Sequence, residues 1–157
     1  FFQNFIGVVI RSIGGEQKSI INQSGVTGYS SSSFLNNLSQ FQISDTIVLC
    51  EGPMDAELIS VFYPYTVASC GSLPSRKLLK LLSVSTGKIV YVPDQDETGN
   101  RMKWELRDRV QNLEFDLDYY FVDVPETMND PGDFLRFDNF EQRNDYNVFK
   151  SKVLSNI

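Results

Sequence analysis

A chain of 157 residues that is 41% hydrophobic and 13% aromatic can bury one ordered core, and it carries a net charge of −6. That charge argues against a stand-alone tight nucleic-acid binder, and no stretch of about 20 apolar residues is present to span a membrane. Histidine is absent, which removes Ser-His-Asp and Cys-His catalysis, zinc sites built on histidine and histidine-dependent nucleases together.

Charge is unevenly spread. Residues 1–45 hold 2 basic and 2 acidic residues, residues 46–112 hold 8 and 8, and residues 113–157 hold 4 and 10. The tail therefore carries the whole acidic excess, and the central region keeps enough Lys and Arg for local phosphate contacts. Two cysteines cannot build a zinc ribbon. Cys50 and Cys70 each end an expected core strand and read as buried thiols of a reduced cytosolic protein, ahead of a disulfide or a reactive cysteine. The first residues, Phe1-Phe2-Gln3-Asn4-Phe5, lack the basic region and apolar run of a signal peptide. They also lack an initiator Met, so a fragment of a longer protein is expected.

In chain order, Val8, Ile10 and Lys18-Ser19-Ile20-Ile21 flank Gly14-Gly15 and predict a hairpin over residues 7–22. Residues 23–33 are Ser- and Gly-rich and predict a loop. Ser30-Ser31-Ser32-Ser33 lacks the Gly-Lys-Ser/Thr end of a P-loop, so it reads as a connection and not as a phosphate cradle. A short helix over residues 34–41 follows. Then comes strict alternation: strand 46–50, helix 53–62, strand 66–70, helix 74–83, strand 88–93, helix 98–112 and strand 118–124. Such alternation predicts an α/β domain with a largely parallel sheet. Met102, Leu106, Val110 and Leu113 recur at helical spacing and predict a core-facing stripe. Residues 140–157 suit a final helix with Phe149, Val153 and Leu154 on one side.

Two acidic clusters follow expected core strands. Glu51-Gly52-Pro53-Met54-Asp55 comes after Thr46-Ile47-Val48-Leu49-Cys50, and Asp94-Gln95-Asp96-Glu97-Thr98-Gly99 after Lys88-Ile89-Val90-Tyr91-Val92-Pro93. Parallel strands end on one edge, where ligands bind, and carboxylates gathered there are costly unless a cation joins them. Mg²⁺, which prefers hard oxygen ligands, is the natural candidate. Asp94 and Asp96, two apart in extended chain, can face one ion. Asp96 can equally cap the following helix, and the two roles are compatible. Glu51 can be a solvated strand-end residue, although Gly52 beside it permits a tight turn near a ligand. Asp55, four residues later, can serve the site or the helix dipole. Asp130 and Asp133 in Asp130-Pro131-Gly132-Asp133 form a good turn by themselves.

These motifs resemble the Toprim domain, the metal-binding fold of bacterial-type primases, topoisomerases and some nucleases. The family places Glu-Gly after its first core strand and Asp-x-Asp after a later one; here these are Glu51-Gly52 and Asp94-x-Asp96. The form closed by Gly99 resembles that of primases and primase-helicases. Asn129-Asp130-Pro131-Gly132-Asp133 is a looser match to a primase Lys-Asp-Pro-Asp-Glu segment, with Asn129 for Lys and Gly132 for the middle acid. The resemblance covers roughly residues 45–135, and Gly7-Val8-Val9-Ile10-Arg11 resembles the strand before Toprim in primase cores. It implies a Rossmann-like Toprim sheet flanked by helices over residues 45–137, a hairpin appendage over 1–44 and a terminal helix over 138–157.

By this resemblance, Glu51, Asp94 and Asp96 are catalytic and hold Mg²⁺ or Mn²⁺, with Asp55 and Asp130 as further ligand candidates. The reaction implied is template-directed joining of ribonucleoside triphosphates on single-stranded DNA, beside a replicative helicase, in a cytoplasm or an organelle. Arg101, Arg76 and Lys77 are candidate phosphate contacts, although Arg76, Lys77 and Lys80, and Arg101, Lys103, Arg107 and Arg109, also read as solvated helix faces. Gly52, Gly71 and Gly99 are the expected structural turns. Two alternatives stay open. A Toprim nuclease would use water in place of the 3′-hydroxyl, and a non-catalytic docking module would use the acidic tail.

Overall fold

The computed structural model describes residues 9–11, 20–22, 46–69, 73–84, 86–112, 116–135 and 140–157. Strands β1 (Val9–Arg11) and β2 (Ile20–Asn22) pair antiparallel with Ile10 opposite Ile21, as the hairpin reading expects. Gly14-Gly15, the loop 23–33 and the helix expected over 34–41 lie outside the described residues, as do Cys70, Gly71 and Leu113.

The main sheet is built from β3 (Thr46–Cys50), β4 (Thr66–Ala68), β5 (Lys88–Val92) and β6 (Asp118–Phe121), in the order β4-β3-β5-β6. Every neighbouring pair is parallel. The helices α1 (Pro53–Ser60), α2 (Arg76–Ser83) and α3 (Glu97–Gln111) provide the crossovers. A 3₁₀ helix (Pro131–Leu135) and α4 (Phe140–Ser155) follow.

All five residues of β3 are buried, because helices cover both faces of the sheet. The two-residue period then sorts the side chains. Ile47, Leu49, Val67, Ile89 and Tyr91 pack with Leu78, Leu79 and Leu82 of α2 and with Met102, Leu106 and Val110 of α3. Val48, Cys50, Ala68, Val90 and Val92 pack on the other face with Ala56 and Ile59 of α1, Phe134, and Phe149 and Val153 of α4.

Several elements are shorter than the sequence predicts, for local reasons. Helix α1 stops at Ser60, where the Phe62 N–H turns back to the Ile59 carbonyl at 3.0 Å in a tighter i→i−3 bond, and Pro64 bars Tyr63 from continuing the helix. Helix α2 begins at Arg76, after Pro74, where the Ser75 hydroxyl accepts the Leu78 N–H at 3.2 Å. Strand β5 stops at Val92 because Pro93 has no N–H to donate. Strand β6 consequently loses its partner after Phe121, and only the Val122 N–H still reaches the Tyr91 carbonyl, at 2.9 Å.

Helix α4 packs on the 3₁₀ helix through its middle and is tied to β5 at its C-terminal end. Phe149 stacks on Phe134 with ring centroids 5.3 Å apart, and Tyr146 meets Phe134 edge-on at 5.2 Å. Lys88 Nζ reaches the Asn156 and Ile157 carbonyls at 3.4 and 3.3 Å, a cation at a helix C-terminus. Phe149 and Val153 are fully buried, whereas Leu154 is 43% exposed; one residue beyond Val153 turns it about 100° away. Phe149→Ala should therefore lower stability by about 3–5 kcal/mol in urea unfolding, whereas Leu154→Ala should change it by less than about 1 kcal/mol. Among the described residues no helix is long and apolar enough to cross a membrane.

This topology positions the site. From β3 the chain crosses to β4 on one side, and from β5 it crosses to β6 on the other. The crossovers diverge between the carboxyl ends of β3 and β5, which opens a crevice there. Glu51 follows one of those ends, and Asp94 lies two residues past the other.

Candidate metal centre

Glu51 leaves β3 almost fully buried, at 8% exposure. Its Oε1 accepts two hydrogen bonds from the neighbouring strand end: the Tyr91 hydroxyl at 3.0 Å and the Asp94 N–H at 3.1 Å. Burial raises the Glu51 pKa, the two hydrogen bonds oppose that rise, and the Asp96 charge adds to it. Tyr91 is fully buried, and burial and the Glu51 charge push its own ionisation upward. It stays a donor.

Asp94 is more strained electrostatically. Its pKa is pushed up to about 8, first by burial and then by Glu51, Asp55, Asp130 and Asp96. Its Oδ1 is buried without a hydrogen-bond partner. The Ser69 hydroxyl is orphaned in the same way, just past β4, where the Ser69 N–H holds the Cys50 carbonyl at 2.8 Å. Buried polar groups in folded proteins are nearly always satisfied, and the two exceptions among the described residues lie at the carboxyl edge of this sheet.

Asp96 is exposed and performs the capping role: its Oδ1 accepts the Gly99 N–H at 2.6 Å at the start of α3. Gly99 fits because its neighbours leave no room for a side chain. A Cβ there would run into the Asp94 carbonyl oxygen and lie 2.8 Å from Glu51 Oε1. Gly52, the residue capping α1, has an ordinary extended backbone at φ −101°. It is glycine because a Cβ would strike the Asp55 carboxylate, not because the turn demands a left-handed residue.

Asp55, 6% exposed in the first turn of α1, accepts the Gly132 N–H at 3.0 Å through Oδ1. That bond docks the Asp130–Asp133 turn against α1. Within the turn Asp130 Oδ1 accepts the Asp133 N–H at 3.1 Å, and Asp133 Oδ2 accepts the Asn129 N–H at 2.9 Å. Gln95 fastens the Asp94–Asp96 loop to the same segment. Its N–H donates to the Asn129 carbonyl at 2.6 Å and its side chain to the Val124 carbonyl at 2.9 Å. Asp130 is thereby brought close enough for its charge to raise Asp94.

The basic candidates sit elsewhere. Arg101 pairs weakly with Glu105 at 3.8 Å, with 67% of its side chain exposed. Arg76 and Lys77 are exposed at the start of α2, and Arg76 borders a shallow groove with Leu79, Asp108, Arg109 and Asn112. Lys103 departs from the solvated reading: it is 8% exposed and donates to Asp123 Oδ1 at 2.9 Å. Among the described residues no Lys or Arg forms an ion pair with Glu51, Asp94 or Asp96. Cys50, fully buried beneath these acids, has its thiol pushed well up by burial first and then by Asp55, Asp94 and Glu51, so it is no nucleophile.

Among the described residues no group of three or more acidic or thiol side chains is arranged to hold a metal ion by itself. The donor set still fits a hard divalent cation. Mg²⁺ binds through one or two carboxylates and keeps several waters. Among the described residues Asp94 Oδ1 lacks a partner, Glu51 accepts hydrogen bonds at Oε1 only, and neither acid, each with its pKa raised, forms an ion pair with a Lys or Arg. Sequence reasoning missed Tyr91, Ser69 and Gln95 here. Tyr91 alone carried a signal: a hydroxyl at a core position of a buried strand needs a partner.

Solved structures with the same fold include a DNA primase domain from Pseudomonas aeruginosa, with TM-score 0.71 and 21% identity over 90% of this chain and 46% of that one. A DnaG primase catalytic domain bound to single-stranded DNA matches with TM-score 0.71 and 18% identity, over 93% and 48%. The zinc-binding and RNA polymerase domains of Aquifex aeolicus primase match with TM-score 0.66 and 22% identity, over 93% and 36%. The chain spans about half or less of the length of these proteins. No curated protein sequence matches it. Residues 48–135 match the family described as Toprim-like, a segment of more than half the chain that contains Glu51, Asp55, Asp94, Asp96 and Asp130. The chain belongs to the Toprim-like family.

Proposed function

We propose that this domain is the catalytic Toprim unit of a DNA primase, joining ribonucleoside triphosphates on a single-stranded DNA template with Mg²⁺ or Mn²⁺. The observation that carries this reading is the meeting of Glu51 and Asp94 at the divergence of the crossovers, with Asp94 Oδ1 buried and unpartnered. The shared fold with primase catalytic domains supports it. Glu51 and Asp94 would hold the cation, with Asp96 at the rim through the oxygen not used for capping. Asp55 and Asp130 would add negative charge around it. Bound there, divalent cations would neutralise the incoming triphosphate and stabilise the leaving pyrophosphate.

The protein groups then have three tasks. They fix the carboxylates, they keep the sheet edge dry, and Glu51 takes the proton of the attacking 3′-hydroxyl or shares in a second cation. None of these tasks needs a histidine. Residues 45–137 would form this unit, with 1–44 and 138–157 flanking it. The template would lie over surface supplied in part by segments outside it, since the domain's own Arg101, Arg76 and Lys77 are few and exposed. A replicative helicase is the partner proposed by resemblance.

The test is ribonucleotide incorporation by the full-length protein on mixed-sequence single-stranded DNA, with degradation of the same DNA followed in parallel. Short RNA products lost in both Glu51→Gln and Asp94→Asn support the primase. Metal-dependent DNA loss without synthesis would replace it with a Toprim nuclease. Neither product from the full-length protein would leave a docking role.

A further inference from the structure

The two hydrogen bonds on Glu51 converge on one oxygen. Oε1 receives the Tyr91 hydroxyl at 3.0 Å and the Asp94 N–H at 3.1 Å, and a Cβ on Gly99 would sit 2.8 Å from the same atom. Oε1 is therefore held by two donors, one from β5 and one from the segment after it, with the Gly99 backbone of α3 packed close by. Among the described residues nothing donates to Oε2. A carboxylate held this way cannot rotate to present both oxygens to one ion.

Tyr91 can act as this clamp because of where it starts. Its Cα lies beside Leu49 in the register of the parallel pair, so it shares a face with Glu51, two residues beyond Leu49. Its ring is fully buried among the α2 and α3 side chains, so its two torsions are fixed by packing. The hydroxyl then arrives at Glu51 from below the crevice, without its own torsional freedom to lose.

We infer that Tyr91 is a positioning residue, which with the Asp94 N–H pins Glu51 Oε1 so that Glu51 offers a divalent cation a single oxygen, Oε2. This rests on the metal-centre reading above. It predicts that Tyr91 acts only through Glu51. Groups that orient a metal ligand are worth about 10–100-fold in metal affinity when removed.

The experiment measures Mn²⁺ dissociation constants by electron paramagnetic resonance on full-length wild type, Tyr91→Phe, Glu51→Gln and the double variant, with melting temperatures in chelator alongside. Phenylalanine fills the same volume, and Asp94 still holds Glu51, so the fold is retained. The expected result is about tenfold weaker binding in Tyr91→Phe, further loss in Glu51→Gln, and no additional effect of Tyr91→Phe once Glu51 is Gln. Wild-type affinity in Tyr91→Phe with weakened Glu51→Gln overturns the positioning role and spares the site. A Tyr91→Phe effect that persists undiminished in the Glu51→Gln background overturns it too. Unchanged affinity in Glu51→Gln overturns the metal-centre reading itself, and the inference with it. Should Tyr91→Phe melt too low to assay, Tyr91→Met, which also fills the pocket without a hydroxyl, must show the same tenfold loss.

Discussion

On the proposed primase reading, Asp94→Asn should abolish metal-dependent nucleotidyl transfer, by at least about 10³-fold, while raising the melting temperature of the metal-free protein at pH 8. The activity loss follows from removing the proposed cation ligand, because bound cations stabilise transition-state charge by several kcal/mol and each 1.36 kcal/mol is worth about tenfold. The stability gain follows from the sign of the Asp94 shift. Its pKa is about 8 in the fold against an ordinary 3.8. Between those values the native state binds a proton that the unfolded chain has released, so stability falls as pH rises. The loss begins above the unfolded value and is complete once pH passes about 8. Asparagine carries no such penalty. The difference in melting temperature between the variant and wild type should therefore be small near pH 4 and grow up to pH 8–9. Added Mg²⁺ should raise the wild-type melting temperature at pH 8 by mass action and leave Asp94→Asn nearly unmoved. Differential scanning calorimetry across that pH range, with chelator or Mg²⁺, reads all of this. A variant less stable than wild type at pH 8 in chelator would show that Asp94 is a structural group.

Gly99→Ala should damage both fold and site. Its added methyl collides with the Asp94 carbonyl oxygen and crowds Glu51 Oε1. Neither neighbour yields easily: one is backbone, and the other is pinned by Tyr91 and Asp94. Forcing a methyl into such a place costs about 1–3 kcal/mol, which for a domain of this size lowers the melting temperature by roughly 2–12 °C. Alanine is otherwise the better helix former, so a stabilised variant would mean that the contact is absent in solution. Mn²⁺ binding should weaken as well, because relief of the clash requires Glu51 or the Asp94 loop to move.

The parallel sheet was legible because its two central strands, β3 and β5, are buried on both faces. Ile47–Cys50 and Ile89–Val92 read as unbroken apolar runs, and each is followed by an acidic turn and a helix. The edge on which Glu51 and Asp94 meet follows from parallel pairing alone. Strand and helix ends were less legible where proline decides them, as Pro64, Pro74 and Pro93 do. Contacts from far along the chain were not legible. Asp55 reaches Gly132 across 77 positions, and no local pattern encodes that bond. Lys103 looked like part of a solvated helix face, yet packing of β6 against α3 buries its stem. Its ammonium lies 4.4 Å from the centre of the Phe121 ring and bonds Asp123. Of the two readings open for Asp96, the structure shows the cap, which uses Oδ1; its role toward a cation belongs to the proposed function.

The most direct test of the metal centre is an anomalous difference map from a crystal of the protein soaked in Mn²⁺. A peak is expected in the crevice between β3 and β5, within ligand distance of Asp94 Oδ1 and Glu51 Oε2. A well-occupied peak elsewhere with that crevice empty, or Glu51 and Asp94 bonded to protein groups in its place, would contradict it.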